Sequence, residues 1–341
     1  MQALRLLGLA ALAAALSSHA PPASAQANAA PGFPMRCNGF NLLDKLAAID
    51  PSRRASIDAK TAALKNGNAV FWKLEKPGTA PSYLLGTVHL TDRRVTQLDA
   101  GIKAAIGSAT VLLIENAAKP SGPTMRSNSA ILDAGIYTDG RSLDTVLSEK
   151  EFEEVRTATG GMPPEILRRY RPWMVSLMLS ASACERQRIA NGYRVQDMVV
   201  TERAVAKGIP VEGLETTEEQ ISALAAVPDD EQLGMLRASI ALIGDSENLR
   251  ETMVQLYLTR RMGALWELQL ALAEKAGVPA SAFASFERSL IIDRNRRMLD
   301  AALPHLEQGG AFIAVGALHL PGEAGLVELF RTSGYTATAI E

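Results

Sequence analysis

Short apolar runs alternate with helical segments at both ends of the chain, and this pattern constrains its fold most. The N-terminal part contains a predicted hairpin, AVFWKLE (69–75) and SYLLGTVH (82–89), and then a helical stretch and the run TVLLIEN (110–116). The C-terminal part ends with two more strand-like runs, AFIAVGALH (311–319) and YTATAIE (335–341). Strands joined by helices in this order are typical of a parallel α/β sheet.

The middle of the chain, about 120–275, is mainly helical. Its periodic segments include PPEILRRYRPWMVSLMLSASACERQ (163–187), and the strand-like run GIPVEGLE (208–215) interrupts them. A further long helix is predicted at about 281–303. We therefore predict an α/β fold, in which one mainly parallel sheet is completed by the N- and C-terminal parts with a large helical insertion between them. Residues 36–341 would form a single domain.

The first 25 residues have the features of a cleavable export signal. Arg5 precedes an apolar stretch at 6–16, which ends before the A-x-A pattern Ala23-Ser24-Ala25. The stretch is too short to span a bilayer comfortably, so we expect no stable membrane anchor. Residues 26–35 are expected to be a flexible linker. The sequence thus predicts an exported, periplasmic protein that is cleaved after Ala25.

The net charge limits the possible classes of function, and the cysteines limit how the N-terminal segment is held. The formal net charge is −2, which argues against a nucleic-acid-binding protein because such proteins usually carry a concentrated basic face. The two cysteines, Cys37 and Cys184, could form a disulfide in an exported protein and tie the N-terminal segment to the body. Alternatively, Cys184 is a buried thiol on a helical stripe.

The candidate chemistry lies in a short similarity between two strand ends. In LLGTVHL and AVGALHL an apolar run meets a glycine, Gly86 or Gly316, and a histidine follows three positions later, His89 or His319. The carboxyl ends of parallel strands line the ligand crevice of such sheets, so we expect both imidazoles at one rim. Glycine lets the chain turn sharply, or lets another backbone or a ligand come close.

A carboxylate follows a third predicted strand. Glu115 comes directly after four apolar residues, and two histidines with one glutamate are the ligand types of a His2Glu zinc site or a two-His-one-carboxylate centre. We predict a divalent metal ion held by His89, Glu115 and His319, and the sequence does not distinguish Mn, Co and Zn. The same residues could equally form a metal-free acid–base cluster.

Arg294 is the fourth candidate, because it interrupts an apolar stripe on the helix before the second motif. A buried guanidinium needs a paired anion, either Glu115 or a negative substrate or oxyanion. The alternative is an arginine that reaches the surface. Glu212 and Glu215 lie near a strand end and are further candidates, whereas Asp197 precedes a helix and can be explained as its cap.

Taken together, these motifs resemble the TraB/PrgY/GumN family, and most closely its exported GumN-type members, over nearly the whole mature chain. The matching positions are Cys37, Gly39, Leu42, Leu43, Gly86, Thr87, His89, Glu115, Pro172, Trp173, the GLET segment at 213–216, Gln220, Arg294, Asn295 and the segment 315–320 with Gly322. The sequence has no H-E-x-x-H, G-x-S-x-G, P-loop or G-x-G-x-x-G motif, so the usual zincin, α/β-hydrolase and nucleotide-binding functions lose support.

The resemblance implies a site made of both G-x-x-H histidines, the strand-end glutamate and an arginine, which here are His89, His319, Glu115 and Arg294. Related animal Tiki proteins are described as divalent-metal-dependent peptidases, whereas the more distant erythromycin esterases use histidine without an obligatory metal. TraB and PrgY relatives are associated with peptide pheromone shutdown, and GumN with polysaccharide gene clusters. The segment before Asp197 lacks the expected glycine motif, so Asp197 is not carried over.

We therefore expect an exported, metal-dependent hydrolase that cleaves a peptide or a related amide or ester bond, with Arg294 stabilising the oxyanion. Its partner would be a peptide or another small substrate. Two alternatives remain open: a metal-free histidine-based esterase or hydrolase, and a non-catalytic periplasmic protein that binds a peptide or a tetrapyrrole.

Overall fold

The computed structural model describes residues 37–117 and 133–340. Its strands are β1 (Phe71–Glu75), β2 (Ser82–Thr87), β3 (Val111–Ile114), β4 (Val211–Gly213), β5 (Ala311–Gly316) and β6 (Thr336–Ala339). They form one six-stranded sheet in the order β4-β3-β5-β2-β1-β6. The four strands from β4 to β2 are parallel, and β1 runs antiparallel to both of its neighbours. The predicted α/β fold with a mainly parallel sheet is confirmed. The predicted export signal and linker lie outside the described residues.

Helices fill most of the rest of the described chain. They are α1 (Leu42–Ile49), α2 (Pro51–Ala63), α3 (Arg93–Thr96), α4 (Ala100–Gly107), α5 (Glu149–Ala158), α6 (Pro164–Leu167), α7 (Pro172–Ser180), α8 (Ala183–Ala190), α9 (Gln196–Ala206), α10 (Thr217–Ala225), α11 (Asp229–Ala241), α12 (Ser246–Leu258), α13 (Gly263–Lys275), α14 (Ala284–Glu287), α15 (Asp293–Gln308) and α16 (Leu326–Thr332). No helix among the described residues is long and apolar enough to cross a membrane.

Alternate residues of the parallel strands point to opposite sides of the sheet, and helices cover both faces. On one face Leu113 and Ile313 pack with α15 and α16. On the other, Leu112 and Phe312 pack with α4 and α9. The strands that carry the predicted site residues therefore lie between two layers of helices.

The helical part differs from the predicted insertion in two respects. The strand β4, from within the middle of the chain, pairs in parallel with β3 and belongs to the sheet. The predicted long helix at 163–187 is three helices, because Pro172 starts α7 at its first turn and Ser182 caps α8. Helices α5, α7, α10 and α11 enclose a core of their own, which includes Trp173 and Leu236.

Two other predicted elements are also shorter or less regular in the structure. The run 311–319 is a strand only to Gly316, and Ala317–His319 forms a 3₁₀ turn. The predicted helix at 281–303 contains a π-helical turn at Arg288–Ile292 directly before α15. Such a turn changes which side chains of the following helix face inward, and π-bulges are frequent at functional sites.

A disulfide joins Cys37 to Cys184, with their Cα atoms 5.6 Å apart. The segment 37–42 lies along α12, where the Leu42 amide donates to Thr252 Oγ1 at 2.8 Å. The bridge therefore fastens the start of the described chain to α8, and the alternative of a free thiol at Cys184 does not hold.

Replacing Cys37 by serine should lower the free energy of unfolding by about 2–5 kcal/mol, since loss of the bridge frees a long loop in the unfolded chain. Urea unfolding followed by tryptophan fluorescence measures this. The C37S/C184S double variant should lose no more than C37S, because both changes remove the same bond. An unfolding midpoint that C37S leaves unchanged would contradict the structural role of the bridge.

Candidate functional site

Three neighbouring strands bring the predicted site residues to one end of the sheet. The two histidine motifs end β2 and β5, which pair in parallel with Thr87 opposite Gly316, so that the motifs are offset by one residue. On the other side of β5 lies β3, whose end places Glu115 beside Gly316. The sheet thus positions His89, Glu115 and His319 on adjacent strand ends.

Both motif glycines allow close contacts. A Cβ atom on Gly86 would lie 2.9 Å from Cα of Ala317, and one on Gly316 would lie 3.1 Å from Oε1 of Glu115. The Gly316 amide also donates to Glu115 Oε1 at 2.6 Å. A side chain at Gly86 would push the second motif away, and one at Gly316 would crowd the glutamate.

Arg294 lies between two carboxylates. Its Nη2 donates to Glu115 Oε2 at 2.6 Å, and its Nε donates to Glu215 Oε1 at 3.0 Å. Nη2 also donates to Glu215 Oε1. The side chain of Arg294 is 12% exposed and that of Glu215 is fully buried. The predicted pairing of a buried Arg294 with Glu115 is therefore present. Glu215 is a second partner, which was not predicted.

The charges of this cluster determine its protonation. Burial alone would raise the pKa of Glu115, but the Arg294 guanidinium, the two nearby histidines and the Gly316 amide together outweigh it and hold the pKa of that carboxyl well below its usual range. Burial would lower the pKa of Arg294, and Glu115 and Glu215 reverse this and raise it. Glu115 and Arg294 are therefore both ionised at neutral pH.

Glu215 is supported by further polar contacts. Gln220 Nε2 donates to Glu215 Oε1 at 2.9 Å, and Asn116 Nδ2 donates to Gln220 Oε1 at 3.3 Å. Thr216 caps α10, while its neighbour Glu215 contacts Arg294. Glu212 is more than half exposed and lies 3.7 Å from His305, outside the site.

His319 is a buried imidazole with a defined tautomer. Asn295 Nδ2 donates to two carbonyl oxygens, of His319 at 3.1 Å and of Ala324 at 2.8 Å, so Asn295 Oδ1 must be the acceptor of the 2.7 Å contact with His319 Nδ1. Nδ1 therefore carries the proton and Nε2 has a lone pair, 3.8 Å from Glu115 Oε1. Burial and the nearby Arg294 lower the pKa of His319 to about 3.

His89 is in the opposite protonation state, with both ring nitrogens protonated at neutral pH. Its Nδ1 donates to Asp197 Oδ2 at 2.9 Å, and Asp197 Oδ1 accepts a hydrogen bond from Thr87 Oγ1 at 2.5 Å. Burial alone would lower the pKa of His89, but the charge and hydrogen bond of Asp197 outweigh it and raise the pKa to about 9. The side chain of His89 is 27% exposed, so it borders solvent.

The partners of both histidines were not predicted from the sequence. The interpretation of Asp197 as a cap is wrong, because α9 begins after Val195 with no side-chain cap bond and Asp197 points to His89. The neighbouring Gln196, whose Oε1 accepts the Val88 amide at 2.9 Å, also faces the motif loop. Asn295 was noted only as part of the family pattern. A polar pair at the start of a helix that covers the strand ends was the available signal for Asp197.

The donor set fits a divalent cation in its chemistry. Each imidazole is held through Nδ1 by a second side chain, which is the usual arrangement of metal-binding histidines and makes Nε2 the ligand atom; at His89 that atom must first lose its proton. Glu115 supplies a carboxylate. In the described part of the chain, however, the trio with ligand atoms all within 4.8 Å of one another is Cys37, Cys184 and Glu247, whose cysteines are bridged. His89, Glu115 and His319 are spread more widely, and to hold one ion together they would have to move closer.

The two imidazoles should titrate far apart. In metal-free protein the Cε1 resonance of His89 should titrate near pH 9, whereas that of His319 should stay in its neutral form down to about pH 3 or to acid unfolding. Protonated His89 stabilises the fold below about pH 6.5, and this contribution is lost as the pH rises through about 9. For His319 the sign is reversed, because the folded state resists its protonation and loses stability as the pH falls below about 6.5.

NMR titration with a chelator present measures both values. Asp197→Asn should bring the pKa of His89 below 6.5, because burial then dominates. Two imidazoles that titrate together near pH 6.5 would contradict the described contacts.

Comparison with known proteins assigns the chain to a family. The TraB/PrgY/gumN family model matches residues 70–339, which include all four predicted site residues. The proteins named YbaP of Shigella flexneri and of Escherichia coli K12, both described as uncharacterized, are each 24% identical to this chain over 275 residues, which is 79% of this chain and 96% of theirs. No solved structure matches the chain significantly. The chain belongs to the TraB/PrgY/gumN family.

Proposed function

We propose that this protein is an exported hydrolase that cleaves a peptide or a related amide or ester bond. The observation that carries the proposal is the pair of imidazoles on adjacent parallel strand ends, each fixed through Nδ1 by a different side chain. They lie beside a carboxylate whose charge is held by a buried arginine. Histidines with different protonation states next to fixed charges are typical of acid–base sites.

His89 has the more direct role in proton transfer. Asp197 holds the Nδ1 proton, so proton transfer uses Nε2: the imidazolium can give its Nε2 proton to a leaving group, and the neutral ring can take a proton from water when Nε2 holds no metal ion. Because His89 borders solvent, a substrate can approach it from the rim of the sheet. The same Asp–His contact orients the base in serine hydrolases of unrelated fold.

His319 and Glu115, with His89, are the residues that would hold a divalent metal ion. Such an ion would supply Lewis-acid polarisation of the scissile carbonyl and a more acidic water. The neutral state of His319, with its lone pair on Nε2, suits a ligand. The carboxyl groups of Glu115, Glu215 and Asp197, which contact Arg294 or His89, support a cation, and that cation would replace the Nε2 proton of His89.

Arg294 has a structural and an electrostatic role in this proposal. Most of its donors are directed at Glu115 and Glu215, so its first effect is to hold both side chains in place and to keep the pKa of Glu115 below its usual range. Its Nη1 donates to the Leu290 carbonyl at 3.3 Å, a long contact that an oxyanion could replace. The oxyanion role therefore rests on Nη1.

A second candidate, a metal-free hydrolase, is favoured by the wide spacing of the metal-ligand trio. In that mechanism the neutral form of His89 is the general base. Because Asp197 raises the pKa of His89 to about 9, the rate of the metal-free reaction would increase with pH up to that value. A rate that needs added metal and levels off at lower pH favours the first candidate.

Export is part of the proposal and has independent support. The disulfide between Cys37 and Cys184 is of the kind that persists in oxidising compartments. The N-terminal 25 residues have the composition of a signal peptide.

His89→Ala and His319→Ala test the proposal directly. Each should lower turnover of a responsive substrate from fluorogenic peptide and ester libraries by at least about 100-fold, since each removes an imidazole from the reacting centre. Each should also lower the bound metal measured by elemental analysis. His305→Ala is the matched control, because it removes an imidazole that lies against Glu212 outside the site.

Full metal content in both variants would refute the metal site. Unchanged turnover in both would refute the hydrolase site altogether. Wild-type protein that turns over no substrate but is purified with a bound peptide or tetrapyrrole would favour a binding protein instead.

A further inference from the structure

The loop that carries His89 is held at a second point, beyond the contact with Asp197. This loop (88–92) links β2 to α3, and it is anchored through Thr91. The Thr91 amide and hydroxyl donate to Glu185 Oε2 at 3.0 and 2.7 Å. Arg188 donates from Nε to Thr91 Oγ1 at 2.8 Å and from Nη2 to the Thr91 carbonyl at 2.9 Å. The amide, the hydroxyl and the carbonyl of Thr91 are thus all bonded to one helix, α8.

This contact is buried, and both side chains that hold Thr91 are charged. Thr91 is 3% exposed and Glu185 is 2% exposed. Hydrogen bonds to buried charged groups are stronger than those between neutral groups, and their loss leaves a charge without compensation. The loop is therefore fixed here more firmly than a surface turn of the same length would be.

Helix α8 is itself fixed at its start. Cys184, the residue before Glu185, forms the disulfide with Cys37, and its amide donates to Glu247 Oε1 on α12 at 2.9 Å. Arg250, also on α12, donates to Asp92 Oδ2 at 3.0 Å, at the end of the same loop. Glu185 therefore belongs to a rigid frame of α8 and α12 that the mechanism proposed above does not use.

We infer that Glu185 and Arg188 are positioning residues for His89, which they control through Thr91. The inference rests on the proposed function, because it concerns the geometry of the same site. His89 lies two residues before Thr91 and between two anchors: Gln196 holds the Val88 amide, and α8 holds Thr91. A shift at Thr91 moves the imidazole relative to Glu115 and His319, and displacements of about 1 Å in a catalytic group lower rates by up to about 100-fold.

Thr91→Val tests this inference, because it removes the hydroxyl but keeps the shape of the side chain and both backbone bonds. Thr91→Ser is the conservative variant that keeps the hydroxyl. Thr61→Val is the matched control: Thr61 is 7% exposed, and its hydroxyl donates to Ile57 within α2. All three are compared with the wild-type protein by NMR of the histidine rings at fixed pH and by steady-state kinetics.

We expect T91V to shift the His89 ring resonances and to lower kcat by about tenfold or more, with KM changed by less than about twofold. T91S should keep the wild-type His89 resonances and kcat, and T61V should change neither quantity. A His89 signal that T91V leaves at its wild-type position, or that T61V moves equally, would overturn the inference. If the wild-type protein hydrolyses no substrate, the proposed function fails, and the position of the His89 signal still decides whether Thr91 positions the ring.

Discussion

The candidate site depends on one buried guanidinium between two carboxylates. Arg294 joins Glu115, at the end of β3, to Glu215, just after β4, and so binds α15 to the carboxyl ends of two strands. Taking one of these charges away would leave the others buried and uncompensated, at a free-energy cost of several kcal/mol. The burial of Glu115 as a carboxylate, and hence the electrostatics at both histidines, follows from this arrangement.

Two copies of one motif acquire different chemistry from their surroundings. His89 meets Asp197 on α9, whereas His319 meets Asn295 on α15, and these two helices cover opposite faces of the sheet. A carboxylate partner favours the protonated imidazole, and an amide partner next to a guanidinium favours the neutral one. The short local motif therefore places the rings, and the helices packed on the sheet determine what each ring can do.

What could be predicted from the sequence was local or periodic. Apolar runs that end in G-x-x-H or in Glu115 indicated the strands and the shared rim, and Arg294 interrupted a helical stripe. The partners were missed because they come from distant segments: Asp197 is 108 positions from His89 and has the position of an ordinary helix cap. Likewise, Pro172 and Ser182 divide a continuous helical pattern, and a π-helical turn before Arg294 is not visible in hydrophobic spacing.

A double-mutant cycle on Arg294 and Glu215 measures directly whether the two residues are coupled. Arg294→Met should lower the free energy of unfolding by about 3–5 kcal/mol, because it leaves buried carboxylates unpaired. Adding Glu215→Gln should recover at least about 1 kcal/mol relative to the sum of the single changes. Single effects that add to within about 0.5 kcal/mol would show that the two residues are not coupled, and would contradict a site built on their contact.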